Sequence, residues 1–136
     1  MELTNVKVGL KNTVTDRVTD ENTAAHLGSG TLPVYGTPAL SCLMEQAAAE
    51  LVEPLLPDGW TTVGGSMELM HEAPTPVGMS VRAEAEVTAV EGRKIVFAVR
   101  AYDEAGEIGK GTHVRFAVAV DRFMAKAAGR NAAGNE

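Results

Sequence analysis

A chain of 136 residues with one cysteine and a formal net charge of -6 is long enough to bury a single core without disulfides, and it lacks both the sulfur for a cysteine-rich metal site and the positive field that draws proteins to nucleic acid. Aromatic residues make up 4% of it, too few for a base-stacking platform, and no RNP, KH or zinc-finger spacing occurs. The opening MELTNVKVGLKNTVTD breaks every apolar run with Glu2, Lys7 or Lys11, so it reads as neither a secretory leader nor a membrane span, and the lone Cys42 fits a reducing, cytoplasmic setting.

In chain order, Val6, Val8 and Leu10 alternate with Lys7 and Lys11 and predict a half-buried strand near the start. DENTAAHLGSGTLPVYG is rich in glycine and small polar residues and predicts a loop able to border a site. A helix follows, with Thr37 as its cap, Pro38 at the first helical position, and Pro54 ending it near Glu53. Beyond LLPDGW the period changes from helical to alternating. Met67, Leu69 and His71 share one side of a strand. Three more alternating runs carry Val81, Ala83, Ala85, Val87 and Ala89; Ile95, Phe97, Val99 and Ala101; and Val114, Phe116, Val118 and Val120. The connectors VEGRK and DEAGE are short and contain glycine, as antiparallel hairpins require. The expected organisation is one domain over residues 1–126, with 127–136 a disordered tail that has little to bury.

One strand, one apolar helix and four strands make an α+β order, an antiparallel sheet with a helix packed on its face. On a helical wheel Leu40, Leu43, Met44, Ala47 and Leu51 fill one side, and Gln46, Glu50 and Glu53 form a polar stripe. Glu45 falls roughly a quarter turn off that stripe, among Ser41, Cys42, Ala48, Ala49 and Val52.

Taken singly, the polar candidates have ordinary readings. Glu45 can lie at the edge of the core with its head in water, His71 can be a satisfied core histidine, and Thr37 can be a cap. Together they make a second reading available. A helix N-terminus offers unpaired N–H groups to a developing oxyanion, a carboxylate two turns on can attack or activate water, and an imidazole can carry the proton. Those are the parts of an acyl-transfer or hydrolysis site.

TPALSCLME, with Thr37 eight residues before Glu45, then VGGSMELMH with His71 26 residues after Glu45, and PTPVG, VEGRK and EIGKGTHVR resemble the fluoroacetyl-CoA thioesterase-like family over about Asn5 to Lys126. The resemblance implies a hotdog fold, a sheet wrapped round one long helix, joined in homodimers with sites near the dimer interface. It implies an acyl-CoA thioesterase whose catalytic residues are Thr37, Glu45 and His71. Gly64 falls where the family brings backbone close to the acyl group, and Pro38 and Ala39 join it as expected substrate-binding residues. Coenzyme A is then part of the substrate, and neither metal nor cofactor is expected. One departure bears on specificity: fluoroacetate-detoxifying members carry phenylalanines before the threonine, and HLGSGTLPVYG has none.

Alternatives from other classes are a non-catalytic acyl-CoA or small-ligand binding module and an enoyl-CoA hydratase. Asp20, Asn22 and His26 approach the hydratase motif Asp-x-Asn-x-x-His, with one residue too many before His26 and without its usual proline. His71 has no second histidine four residues on, and VGG lacks the ending of a phosphate loop. Arg82, Arg93, Lys94, Lys110 and Arg115 are open candidates for coenzyme A phosphates.

Overall fold

In the computed structural model, which describes residues 3–134, the elements are β1 (Lys11–Arg17), α1 (Ala24–Leu27), α2 (Thr37–Val52, prolonged by a 3-10 turn Glu53–Leu55), β2 (Trp60–His71), β3 (Ser80–Glu91), β4 (Lys94–Asp103), β5 (Gly106–Ala119) and α3 (Val120–Gly134). The five strands form one antiparallel sheet in the order β1-β3-β4-β5-β2. α2 lies across its concave face and buries Leu40, Leu43, Met44, Ala47, Ala48 and Val52. Facing it are Ala83 and Ala85 of β3 and Phe97 and Val99 of β4, all buried. Alanines on both sides let the helix approach the sheet closely. The larger side chains each supply roughly 1.5–3 kcal/mol of burial. The fold is the α+β arrangement expected, and among the described residues no helix is long and apolar enough to cross a membrane.

Several boundaries differ from expectation for identifiable reasons. The first strand starts at Lys11, because Gly9 takes φ +96° and turns the chain; Val6 is buried ahead of it and Val8 is exposed. The loop before α2 contains the short α1, where Thr23 Oγ1 accepts the His26 N–H at 3.2 Å and Gly28 ends the helix at φ +75°. The cap of α2 is Gly36 rather than Thr37, which is already helical and uses its hydroxyl elsewhere. A bulge between Val87 and Ala89 turns Val90, not Ala89, onto the core. From residue 127 to Gly134 the alanine-rich chain continues α3 instead of the expected disorder, in line with alanine's helix preference; residues 135–136 lie outside the described residues.

The largest departure is on β5. The apolar series Val114, Phe116 and Val118 faces away from α2, and the alternate series His113, Arg115 and Ala117 is buried against it. The inversion carries two strongly polar side chains to the concave face.

Candidate active site

Two polar groups stand along α2. At its N-terminus, Thr37 Oγ1 and His71 Nδ1 are 2.7 Å apart. Thr37 is there because Gly36 caps the helix, and His71 because the alternation of β2 turns Met67, Leu69 and His71 toward the helix side. The bond can run in either direction with the imidazole tautomer, and in both Nε2 is a buried atom with no hydrogen-bond partner. An orphaned buried polar group costs about 1–3 kcal/mol, so it marks a place reserved for something else. Burial pushes the His71 pKa below its usual value, against the nearby Ala73 backbone, which raises it. The ring is therefore neutral and can accept a proton. Beside the pair is a cavity of about 310 Å³ whose lining includes Ala24, Ser29, Val34, Thr37 and His71.

Two turns on, Glu45 is half-buried and its Oε2 accepts the Ser41 hydroxyl at 3.0 Å. It faces Gly64 of β2. A β-carbon at Gly64 would lie 3.5 Å from Glu45 Oε1, 3.7 Å from Arg115 Nη1 and 3.7 Å from His113 Cε1, so the three polar side chains meet in front of this one glycine. Arg115 is anchored by Nε to Thr62 Oγ1 at 2.9 Å and by Nη2 to the Thr62 carbonyl at 3.1 Å. Its Nη1 lies 3.2 Å from His113 Nε2. Because a guanidinium only donates, Nε2 is the acceptor, and His113 Nδ1–H donates to the Ser66 carbonyl at 2.7 Å. Burial is the largest influence on both groups. It lowers the Arg115 pKa against the pull of Glu45 and Glu53, and it lowers that of His113, with the Ser66 carbonyl opposing. The outcome is a neutral histidine holding a permanent cation beside the Glu45 carboxylate.

The structure thus joins Thr37 to His71 and Glu45 to Gly64, but it does not join the two pairs within one chain. Eight residues of helix separate Thr37 from Glu45 by about 12 Å, and seven residues of strand separate Gly64 from His71 by about 20 Å. Pro38 is exposed and has no N–H to give. Ala39 lines a separate cavity with Thr15, Asp16, Asn22 and Cys42, and its carbonyl oxygen lies 3.3 Å from Tyr35 Oη. Only its backbone N–H remains for a ligand at the helix terminus. Arg115, one of the open candidates for a coenzyme A phosphate, is buried, 8% exposed, and its guanidinium is taken up by Thr62 and His113, so it does not serve that role. His113 is not among the expected site residues, because the apolar run Val114, Phe116 and Val118 predicts the opposite phase for β5. The signal available for both was a histidine and an arginine two residues apart on a strand, which must share a face. Among the described residues no three His, Cys, Asp or Glu side chains cluster.

Comparison with known proteins identifies the family. The family model described as fluoroacetyl-CoA-specific thioesterase matches residues 18–121. The fluoroacetyl-CoA thioesterase of Streptantibioticus cattleyicolor is 37% identical over 101 residues, 74% of this chain and 73% of the relative. A phenylalanine-to-alanine variant of a fluoroacetyl-CoA-specific thioesterase, solved with fluoroacetate and CoA, superposes with a TM-score of 0.82 at 32% identity, covering 87% of this chain and 99% of that one. A hot-dog-like protein from Thermanaerovibrio acidaminovorans gives 0.87 at 27% identity, covering 93% and 94%. The chain belongs to the fluoroacetyl-CoA-specific thioesterase family of hotdog-fold thioester hydrolases.

Proposed function

We propose that the protein hydrolyses short-chain acyl-CoA thioesters to a carboxylic acid and free coenzyme A, with Glu45 as general base or nucleophile. The observation that carries this is the Glu45 carboxylate, oriented by Ser41, facing the open backbone of Gly64 beside a fixed cation. As a base, Glu45 takes a proton from water while the water oxygen bonds to the thioester carbon. The carbonyl electrons move onto oxygen, then return as the C–S bond breaks and the coenzyme A sulfur takes up a proton. As a nucleophile, the Glu45 carboxylate bonds to the thioester carbon, the C–S bond breaks and the coenzyme A sulfur takes up a proton, and water then opens the resulting mixed anhydride to release the acid and restore Glu45. The first-turn N–H groups of α2 and the Thr37 hydroxyl suit the oxyanion, and His71 suits the proton passing to sulfur. This scheme calls on no metal or organic cofactor, and an acyl-CoA substrate fits a cytoplasmic setting.

The separation of the two pairs supports a homodimeric site. β2 is an edge strand, and edge strands need covering. Antiparallel pairing of two β2 edges reverses one relative to the other, so that the Glu45–Gly64 half of one subunit falls toward the Thr37–His71 half of its partner.

Specificity follows from the small side chains around Glu45 and from the segment before Thr37. Tyr35 cannot replace a missing phenylalanine, because it is buried and donates to Asp16 Oδ2 at 2.9 Å. Leu32 is 64% exposed and is an apolar residue in that segment free to cover an acyl group. A pocket of this kind discriminates by only about 1–3 kcal/mol per methylene. Thiol release from acetyl-, fluoroacetyl-, butyryl- and phenylacetyl-CoA tests the proposal. Comparable kcat/KM for the short esters is expected. Absence of thiol release from all four overturns the activity, and a preference for fluoroacetyl-CoA beyond about a thousandfold, roughly 4 kcal/mol, overturns the specificity.

A further inference from the structure

Of the 12 Lys and Arg residues, Lys11, Lys94, Arg100 and Lys110 pair with carboxylates. Arg17 donates to the Gly78 carbonyl, Arg82 lies over the Tyr102 ring, and Arg115 is bonded to Thr62. Three others converge. Arg93, Arg122 and Lys126 line one cavity of about 170 Å³ with Val118, Ala119 and Phe123. None of the three forms an ion pair among the described residues.

Arg93 comes from the β3–β4 turn, fixed by its carbonyl accepting the Ala117 N–H at 2.8 Å, and its guanidinium stands 5.9 Å from the centre of the Trp60 ring. Arg122 and Lys126 are four residues apart in α3, which is tied to the sheet by Val120 N–H donating to the Gly59 carbonyl at 2.9 Å. Like charges at that spacing destabilise a helix slightly, and among the described residues neither forms an ion pair that offsets the cost, in a chain whose net charge is -6. An anion between them removes the cost. Phe123, 38% exposed, adds a flat apolar wall, so the groove suits a molecule that joins several phosphates to an aromatic ring. It is also near the thioester site, since Trp60 is four residues, roughly 13 Å, along β2 from Gly64.

We propose that this groove binds the phosphorylated nucleotide end of the coenzyme A ester, with Arg93, Arg122 and Lys126 on the phosphates and Phe123 against the adenine; the proposal rests on the thioesterase reading above. The test compares acetyl-CoA with S-acetylpantetheine, which carries the same thioester and no nucleotide. In Arg122→Glu/Lys126→Glu the kcat/KM for acetyl-CoA is expected to fall roughly tenfold or more, mostly through KM, since charge-assisted phosphate contacts become repulsions. For S-acetylpantetheine it stays within about twofold. Arg122→Gln/Lys126→Gln should fall in the same direction by less, and acetyl-dephospho-CoA should lose less than acetyl-CoA. Equal losses on both esters, or none on acetyl-CoA, overturn the groove. Inorganic phosphate that inhibits hydrolysis of acetyl-CoA and S-acetylpantetheine alike also counts against it, as a phosphate site elsewhere. If the unaltered protein hydrolyses neither ester, the thioesterase reading has failed separately. Calorimetric binding of desulfo-CoA then decides: affinity lost in the charge-reversed variant upholds the groove, and unchanged or absent affinity ends it.

Discussion

Thr37 and His71 meet where the helix begins, with Thr37 exposed and one imidazole nitrogen left without a partner, whereas Arg115 and His113 are almost wholly covered and hydrogen-bonded to neighbouring strand residues. The first pair is held by one short contact between side chains, and little of the core depends on it. The second belongs to the core itself, where β5 turns two polar residues inward and every one of their named bonds goes to β2 or to each other. Glu45 stands against the second. Substitutions at the helix terminus should therefore change chemistry and spare the fold, and those in the arginine–histidine pair should change both.

The sharpest test of the contrast is Glu45→Gln, which keeps the shape and removes the charge beside Arg115. A loss in turnover of roughly two to four orders of magnitude is expected. The urea midpoint should move little, because Glu45 is only half-buried and glutamine can still accept the Ser41 hydroxyl. Full thiol release from this variant would remove Glu45 from the mechanism. Next in size is an experiment on whether the two regions act within one chain or across two. Glu45→Gln and His71→Ala, each inactive alone, are mixed after unfolding and refolded together. If the halves of a site come from different subunits, half of the dimers are mixed and each has one intact site, so about a quarter of full activity returns. If each chain carries a whole site, mixing restores nothing, and the proposed shared site is wrong.

The same contrast explains what could be read from the residues alone. The helix and the four later strands were legible because their apolar positions repeat at the periods of helix and strand, and Thr37, Glu45 and His71 stood out as polar residues within motifs. The arginine–histidine pair was not, because Val114, Phe116 and Val118 advertise a core face that the structure turns outward. Alternation identifies two faces of a strand and does not say which is buried when one is apolar and the other carries polar groups that satisfy each other. Nor could spacing show that His71 closes on Thr37 while Gly64 closes on Glu45.

A smaller effect is expected at the glycine between the regions. Gly64→Ala places its methyl at ordinary contact distances of 3.5–3.7 Å from Glu45, Arg115 and His113, so the fold tolerates it. The methyl occupies the space in front of the carboxylate, and displacement of a reacting group by even 1 Å can cost about a hundredfold. A fall in kcat/KM of roughly tenfold to a hundredfold with an unchanged urea midpoint is expected. Loss of stability in step with activity would show that Gly64 serves packing alone.

The smallest effect concerns protons. Burial and, to a lesser degree, Arg115 lower the His113 pKa from 6.5, while the Ser66 carbonyl and Glu45 oppose them. The folded chain therefore releases this proton more readily than the unfolded one. Linkage fixes the sign: the contribution to stability is complete above about pH 6.5 and is lost as pH falls below it, because the unfolded state then binds the extra proton. His71 acts in the same direction. His113→Asn cannot titrate, and it also loses the bridge from Ser66 to Arg115, so it is less stable at about pH 7.5. Its urea midpoint should nevertheless fall less than that of the unaltered protein between about pH 7.5 and 5.5, keeping only the slope from His71 and the remaining groups. Parallel slopes in the two proteins would mean that His113 binds its proton equally well in the folded and unfolded chains, so that burial does not disfavour its charged form.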